Sequence, residues 1–151
     1  MLLAPRPSSS HTANGIGHIK WGAIRGGFVR NVTFRGILAT GPLTRGIFLD
    51  GYYGHANPSC PEGWLPPSLP TVDGVLFDGI DATQSTVKTA VDTFHLEGLP
   101  GAPITNLVLR DVAFADDSGG RDDWTCTEVD GTAQKGTVTP WPPCLGVRVV
   151  Q

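Results

Sequence analysis

The sequence predicts an all-β protein, and three observations support this. The 151 residues include 20 glycines and 13 prolines. A chain of this length with average usage, about 12 % for the two residue types together, would contain roughly 18 such residues. Such frequent breakers disfavour long helices. A strand-like pattern occurs three times. Hydrophobic residues make up 40 % of the chain, so the chain has enough apolar surface to fold. The length suits one domain.

The repeated pattern has an Asn or Gly followed by two apolar residues that alternate with other residue types. It occurs at 28–37, 72–80 and 104–112. Because alternate side chains of a strand point the same way, the apolar pair of each segment is expected to face inward. These pairs are Val32 and Phe34, Val75 and Phe77, and Leu107 and Leu109. The turn-prone residue before each pair suits a bend. Two further β-like runs lie at 46–49 and 90–96.

The spacing of the repeats indicates how they are arranged. Val32 and Val75 are 43 residues apart, and Val75 and Leu107 are 32 apart. Solenoid coils with loop insertions on one side give such uneven spacing. The proline-dense segment 57–69 is expected to be one of these loops. The pattern therefore predicts a parallel β-helix, a single-stranded solenoid, and a β-sandwich with strands of the same length is the alternative.

The charge balance disfavours two classes of partner. Eleven Lys and Arg against fourteen Asp and Glu give a net charge of −3. Nucleic-acid-binding and membrane-surface proteins need basic patches, so we expect no nucleic-acid and no membrane partner. The first residues have too short an apolar run for a signal peptide. Residues 1–14, rich in Pro, Ser and Thr, are predicted to be a disordered leader before a domain at 15–151.

The three cysteines allow more than one interpretation. Cys60, Cys126 and Cys144 form no CxxC pair, which disfavours a zinc or redox site, and we expect no metal. A bridge between Cys126 and Cys144 would close a loop of about 19 residues and stabilise the fold by roughly 3 kcal/mol. From the residues alone, this bridge and two free thiols are equally supported. Asn31 begins an Asn-Val-Thr glycosylation acceptor, usable only in a secreted chain.

Several short segments follow one another in an order typical of one enzyme family. They are Ile19-Lys20, 25–34 (RGGFVRNVTF), Tyr53-Gly54, 96–101 (LEGLPG), 103–107 (PITNL), and Trp124-Thr125-Cys126 with Pro143-Cys144. Together they resemble the C-terminal part of glycoside hydrolase family 28, the polygalacturonases or pectinases, especially its plant branch.

The resemblance extends over nearly the whole chain and implies a fold and an activity. The implied fold is a right-handed parallel β-helix of the pectin-lyase type, of which this chain holds C-terminal coils only. The implied activity is hydrolysis of α-1,4-galacturonosyl bonds of pectin, in carbohydrate metabolism and cell wall organisation, by a protein secreted to the cell wall. The resemblance also implies a Cys126–Cys144 disulfide.

The family's chemistry depends on carboxylates that this chain is expected to lack. Inverting hydrolysis needs a general acid and a general base about 6.5–9.5 Å apart. The family carries them in Asn-Thr-Asp and Asp-Asp motifs, ahead of Gly-His-Gly and Arg-Ile-Lys motifs. The resemblance begins only at the last motif, here His18-Ile19-Lys20. We therefore expect no catalytic residue and an inactive chain.

Two other groups of residues are similar to the family's catalytic motifs but do not match them in position. The pairs Asp116-Asp117 and Asp122-Asp123 lie downstream in a Ser/Gly-rich stretch and are predicted to be solvated loop carboxylates. His55 lies in the context of the coil after the Arg-Ile-Lys motif, so it does not match the Gly-His-Gly histidine. Neither group is a catalytic candidate.

Three residues match substrate-binding positions of the family. Lys20 matches the motif lysine, which binds the substrate's carboxylate through a charge-assisted hydrogen bond. Tyr53 matches the tyrosine of the next coil, which positions the substrate. His18 stands at the arginine position, where a neutral imidazole holds a carboxylate less firmly than a guanidinium. The alternatives are a solvated strand end for Lys20, a packing aromatic for Tyr53 and an ordinary polar residue for His18.

Three functions are compatible with these residues. The first is a fragment of a polygalacturonase-like glycosidase directed at pectin or polygalacturonate, a monomer without a cofactor that is catalytically incomplete on its own. The second is a module that binds pectin without cleaving it, and the third is a purely structural β-helix. Lys20 and Tyr53 favour the first two, whereas the expected lack of an acid–base pair disfavours catalysis.

Overall fold

The computed structural model describes residues 15–24, 26–53, 68–87, 94–115 and 124–149. The regular secondary structure of these ranges is entirely β. The ten strands are β1 (Gly17–Lys20), β2 (Phe28–Leu43), β3 (Ile47–Asp50), β4 (Thr71–Val87), β5 (Phe94–Glu97), β6 (Ile104–Phe114), β7 (Trp124–Thr127), β8 (Val129–Gln134), β9 (Val138–Thr139) and β10 (Gly146–Arg148). Over the same ranges, no helix is long and apolar enough to cross a membrane. The predicted leader at 1–14 and most of the predicted loop at 57–69 lie outside the described residues.

From β1 to β8 the strands alternate between two sheets, and β9 and β10 follow β8 in the second of them. The short-strand sheet has the order β1-β3-β5-β7, and the long-strand sheet has the order β10-β8-β6-β4-β2, with β9 also pairing β6. Every pairing between these named strands is parallel. A chain that adds one strand to each sheet in turn builds stacked coils, which is consistent with a β-helix or solenoid. These strands do not form the antiparallel sheets of a β-sandwich, which was the alternative prediction.

The long strands bend at two sets of aligned positions. The first set is Asn31, Gly74 and Asn106, with φ of 53, 72 and 54°. The second set is Gly36, Gly79 and Asp111, with φ of 62, 66 and 52°. A positive φ is tolerated best by Gly, Asn and Asp, because longer or branched side chains clash with the backbone there. The sequence expectation of a bend before each apolar pair is confirmed at the first set.

The predicted inward-facing pairs form the core beneath the long-strand sheet. Val75, Phe77, Leu107 and Leu109 are each at most 1 % exposed, whereas the β2 pair is half-buried because β2 is an edge strand. Val32 pairs with Val75, and Phe77 pairs with Leu109. The repeat therefore aligns across strands as the sequence pattern predicts.

The short-strand sheet supplies the opposite side of the core. Ile47 and Leu49 of β3 and Leu96 of β5 are fully buried. Phe94 stacks on Trp124, with ring centroids 4.2 Å apart. The predicted β-like runs at 46–49 and 90–96 correspond to β3 and β5, although 90–93 lie outside the described residues.

An ion ladder crosses the outer side of the long-strand sheet. Asp78 of β4 accepts hydrogen bonds from Arg110 of β6 at 2.6 and 2.7 Å and from Arg35 of β2 at 2.9 Å. The hydrogen bonds from Arg110, helped by its charge and by Arg35, lower the pKa of Asp78 to about 2. One carboxylate therefore links three successive strands.

A disulfide joins Cys126 of β7 to Cys144, with Cα atoms 6.0 Å apart. It connects the last strand of the short-strand sheet to the segment between β9 and β10. Cys60, the remaining thiol of the sequence, lies outside the described residues.

Candidate functional site

The outward side of the short-strand sheet gathers polar side chains from three strands. Parallel pairing places β1, β3 and β5 residues in two rows across the sheet. The first row is His18, Phe48 and His95, and the second is Lys20, Asp50 and Glu97. Alternate residues such as Leu49 and Leu96 point into the core, so both rows point outward. We call these six residues the polar face.

An aromatic stack occupies the centre of the first row. The Phe48 ring contacts the His18 ring edge-on at 4.7 Å and stacks on the His95 ring at 4.6 Å. The guanidinium carbon of Arg45, in the segment between β2 and β3, lies 4.1 Å from the Phe48 ring centroid. Phe48 is only 6 % exposed although it points outward. The neighbouring side chains therefore cover Phe48, and packing against its ring holds them in place.

His18 lies among positive charges. Burial lowers its pKa below the ordinary value, and Lys20 and Arg45 lower it further, while Asp50 opposes them. Nε2 of His18 lies 3.4 Å from Nη1 of Arg45. Because a guanidinium can only donate, the histidine nitrogen accepts in this contact. His18 is therefore a neutral imidazole that helps to orient Arg45.

Lys20 and Tyr53, both predicted from the sequence, are brought into contact. The Lys20 ammonium lies 4.6 Å from the centroid of the Tyr53 ring. The Tyr53 amide donates to the carbonyl of Trp21 at 2.9 Å, which fixes the backbone beside the end of β1. Lys20 is exposed, and Tyr53 is 48 % exposed. An ammonium and an aromatic ring are thus presented to solvent together.

Two carboxylates of the second row were missed by the sequence interpretation. Asp50 accepts a hydrogen bond from the Tyr52 amide at 2.8 Å. Nε2 of His95 lies 2.9 Å from Oε2 of Glu97, and an ionised carboxylate accepts in such a contact. Both carboxylates end a four-residue strand, IFLD or FHLE. That shared ending is the sequence signal that could have identified them.

The same residues are the candidate metal ligands of the described ranges. One ligand atom from each of Asp50, His95 and Glu97 lies within 4.8 Å of the other two. An imidazole with two carboxylates is a donor set that zinc accepts. In this structure the His95 nitrogen is hydrogen-bonded to Glu97, so a bound cation would replace that hydrogen bond.

The remaining sequence candidates lie apart from the polar face or outside the described residues. Asn31 is exposed on β2 of the long-strand sheet, where it lines a cavity of about 300 Å³ with Gly74, Asn106 and Arg110 among others. Its glycosylation stays a prediction. His55, Asp116, Asp117, Asp122 and Asp123 lie outside the described residues.

The polar face combines groups that suit an acidic sugar. Lys20 offers a charged donor for a carboxylate. Asp50 and Glu97 offer acceptors for hydroxyl groups, and the exposed ring of Tyr53 offers an apolar surface beside them.

One curated protein shows similarity over most of the chain. A protein of Vitis vinifera named "Probable polygalacturonase" is 29 % identical over 124 residues, which are 81 % of this chain. The chain spans 23 % of that protein's length. No protein-family model matches the chain, and no solved structure matches it. This low-identity similarity supports a relationship to the polygalacturonases.

Proposed function

We propose that this chain is a right-handed parallel β-helix of the polygalacturonase type and that its polar face binds polygalacturonate, the acidic backbone of pectin. The observation that carries the proposal is the exposed contact between Lys20 and Tyr53, 4.6 Å from ammonium to ring centroid. The similarity to a polygalacturonase supports the choice of substrate class.

Lys20 holds the carboxylate of a galacturonate residue. Its ammonium stands at the end of β1, exposed to solvent, so an incoming anion reaches it directly. A charge-assisted hydrogen bond is stronger than one between neutral groups. The ring of Tyr53, fixed through its backbone amide, packs against the apolar C–H side of the same sugar.

Asp50 and Glu97 accept hydrogen bonds from sugar hydroxyls. The Tyr52 amide and His95 hold the two carboxylates in position before a ligand arrives. Preorganised groups lose less conformational entropy on binding. A galacturonate residue then lies with its carboxylate toward β1 and its hydroxyls toward β3 and β5.

The proposed activity of the polar face is binding rather than inverting hydrolysis. The nearest oxygens of Asp50 and Glu97 lie within 4.8 Å of each other. An inverting acid–base pair is separated by about 6.5–9.5 Å to leave room for water. The two carboxylates are therefore too close for that mechanism.

The proposed location is the cell wall of the secreting organism. The Cys126–Cys144 disulfide favours this location, since disulfides persist outside the reducing cytosol.

Binding of trigalacturonate to the purified chain, measured by isothermal titration calorimetry, tests the proposal. We expect Lys20→Gln to weaken binding about tenfold, because one hydrogen bond to a charged group is lost. Lys135→Gln removes the same charge from an exposed residue beyond the long-strand sheet and is expected to leave the affinity unchanged. A wild-type chain that does not bind, or equal affinities for both variants, would refute the proposal. Sustained release of reducing sugar would show that the chain is itself a hydrolase.

A further inference from the structure

Three side chains that can bind a metal ion meet on the polar face. Asp50 of β3 lies directly opposite Glu97 of β5 in the parallel register, and His95 is two residues before Glu97. Neighbouring strands are about 4.8 Å apart, and alternate residues of one strand are about 6.6 Å apart on the same side. The three side chains therefore form a triangle. One ligand atom from each of them lies within 4.8 Å of the other two.

The separations in this triangle are close to those that a metal ion imposes. Zinc holds nitrogen and oxygen ligands at about 2.0–2.2 Å, so two ligands of a tetrahedral site are about 3.4 Å apart. Nε2 of His95 and Oε2 of Glu97 are 2.9 Å apart. The other separations are at most 4.8 Å. Rotation about side-chain bonds can adjust them while the strands keep their register.

Groups outside the triangle hold two of its members in position. The ring of His95 stacks on Phe48, with centroids 4.6 Å apart and planes 17° from parallel. Stacking uses the faces of the imidazole, whereas its nitrogens bind a metal in the plane of the ring. The amide of Tyr52 donates to Oδ1 of Asp50 at 2.8 Å, and a carboxylate has further lone pairs for a cation. Side chains that are held in advance lose less entropy on binding.

The charges of the triangle also favour a cation. Asp50 and Glu97 are like charges at opposite positions of neighbouring strands, an arrangement that destabilises a sheet. The side chains of His95 and Glu97 are 15 and 27 % exposed, so solvent screens the repulsion only in part. Lys20 follows Asp50 in the same row on the β1 side, with its ammonium 4.6 Å from the Tyr53 centroid. A divalent cation bound by both carboxylates would offset their repulsion.

We propose that Asp50, His95 and Glu97 form a binding site for a divalent transition-metal cation, and that zinc is the cation that fits best. The imidazole determines the class of cation, because nitrogen ligands suit zinc and its neighbours, whereas calcium and magnesium prefer oxygen ligands. Three protein ligands leave the fourth position of a tetrahedral zinc for water or another small ligand. The sequence expectation of no metal depended on cysteine spacing, and this donor set contains no cysteine.

The metal site goes beyond the proposed function and does not depend on it. Zinc would occupy the carboxylates of Asp50 and Glu97, to which the proposed function assigns sugar hydroxyls, so zinc and sugar are alternative ligands there. A zinc titration without sugar tests the metal site alone. Failure to bind zinc would leave the pectin proposal standing, and failure to bind trigalacturonate would leave the metal site standing.

The experiment measures zinc binding by calorimetry in an untagged parent chain that carries Cys60→Ser. This change removes a thiol that could itself bind zinc. His95→Gln and Asp50→Asn each remove one ligand, from neighbouring strands. Asp130→Asn is the matched control, since it makes the same chemical change at an exposed residue of β8 in the long-strand sheet. We expect one zinc ion per chain, at least about a tenfold loss of affinity in both ligand variants, and parent affinity in Asp130→Asn.

Three results would overturn the metal site. They are a parent chain that does not bind zinc, parent affinity in His95→Gln, and an equal loss in Asp130→Asn. A titration with calcium tests the class of cation, and an affinity equal to that for zinc would overturn the assignment to a transition metal. If His95→Gln does not fold because the stack on Phe48 is lost, Asp50→Asn decides, and parent affinity in that variant would overturn the site.

Discussion

The ring of Phe77, in the long-strand sheet, occupies the space above Gly17 in the short-strand sheet. A Cβ atom built on Gly17 would collide with this ring. Phe77 is fully buried and stacks on Phe34, with centroids 4.7 Å apart and planes 6° from parallel. The ring therefore has little freedom to move away, and the two sheets approach closely just before His18.

Gly17→Ala is expected to destabilise the fold by about 1–3 kcal/mol, because overpacking displaces Phe77 or the β1 backbone. The free energy of unfolding in urea measures this change. Gly146→Ala is the control, since its Cβ would meet neighbours at ordinary distances of 3.4 and 3.7 Å. Equal stability of the two variants would show that the sheets do not pack this closely.

Removal of the disulfide is expected to lower the free energy of unfolding by about 3 kcal/mol, because the bridge restricts the unfolded chain. Its cysteines are 18 residues apart in sequence. The test compares Cys126→Ser/Cys144→Ser with the wild-type pair, both in a Cys60→Ser background that prevents thiol exchange. Dithiothreitol should destabilise only the chain that retains the pair. Insensitivity of both chains to the reductant would contradict the bridge.

Asp78 is expected to make the fold sensitive to acid. Its pKa is lowered from an ordinary value of 3.8 to about 2 by Arg110 and Arg35. The folded state thus holds the proton less tightly than the unfolded state does. The stabilisation is full above about pH 4 and is lost as the pH falls toward 2. Urea unfolding at several pH values should show that the free energy of unfolding falls less over this pH range in Asp78→Asn than in the wild type.

Asp130→Asn provides the control for that experiment, because Asp130 is an exposed aspartate of β8. Its acid sensitivity should match the wild type. Identical pH profiles for Asp78→Asn and the wild type would mean that the ion ladder does not stabilise the fold.

Trigalacturonate affinity is expected to rise as the pH falls from about 7 to 5. Burial, with the charges of Lys20 and Arg45, lowers the pKa of His18, so the imidazole is neutral at pH 7 and gains a proton in acid. That proton adds a positive charge beside the bound carboxylates, which stay ionised above about pH 4. Calorimetry at each pH should find this rise reduced in His18→Gln. An unchanged rise in His18→Gln would assign the effect to groups other than His18.

The long-strand sheet was predictable because its residues carry a local signal. Val75 and Phe77 alternate with outward residues, and Gly74 marks the corner before them. The short strands were harder to recognise, since four residues such as 17–20 or 124–127 show too little alternation to separate them from loops.

The polar face was predictable only in part. Of its residues, His18 and Lys20 were candidates through family resemblance, as was the neighbouring Tyr53. Asp50 and Glu97 were missed, since they are 47 residues apart and meet only when β3 and β5 pair in parallel.

The rows of the polar face determine which changes in chain length the surface can tolerate. His18, Phe48 and His95 are lateral neighbours although 30 and 47 residues separate them along the chain. Insertions in the connecting segments leave these rows intact as long as each strand keeps its register. A deletion of one residue within β3 would instead shift that strand by one position and turn its side chains to the opposite side of the sheet. Leu49 would then face the solvent, and Phe48 and Asp50 would leave the polar face together.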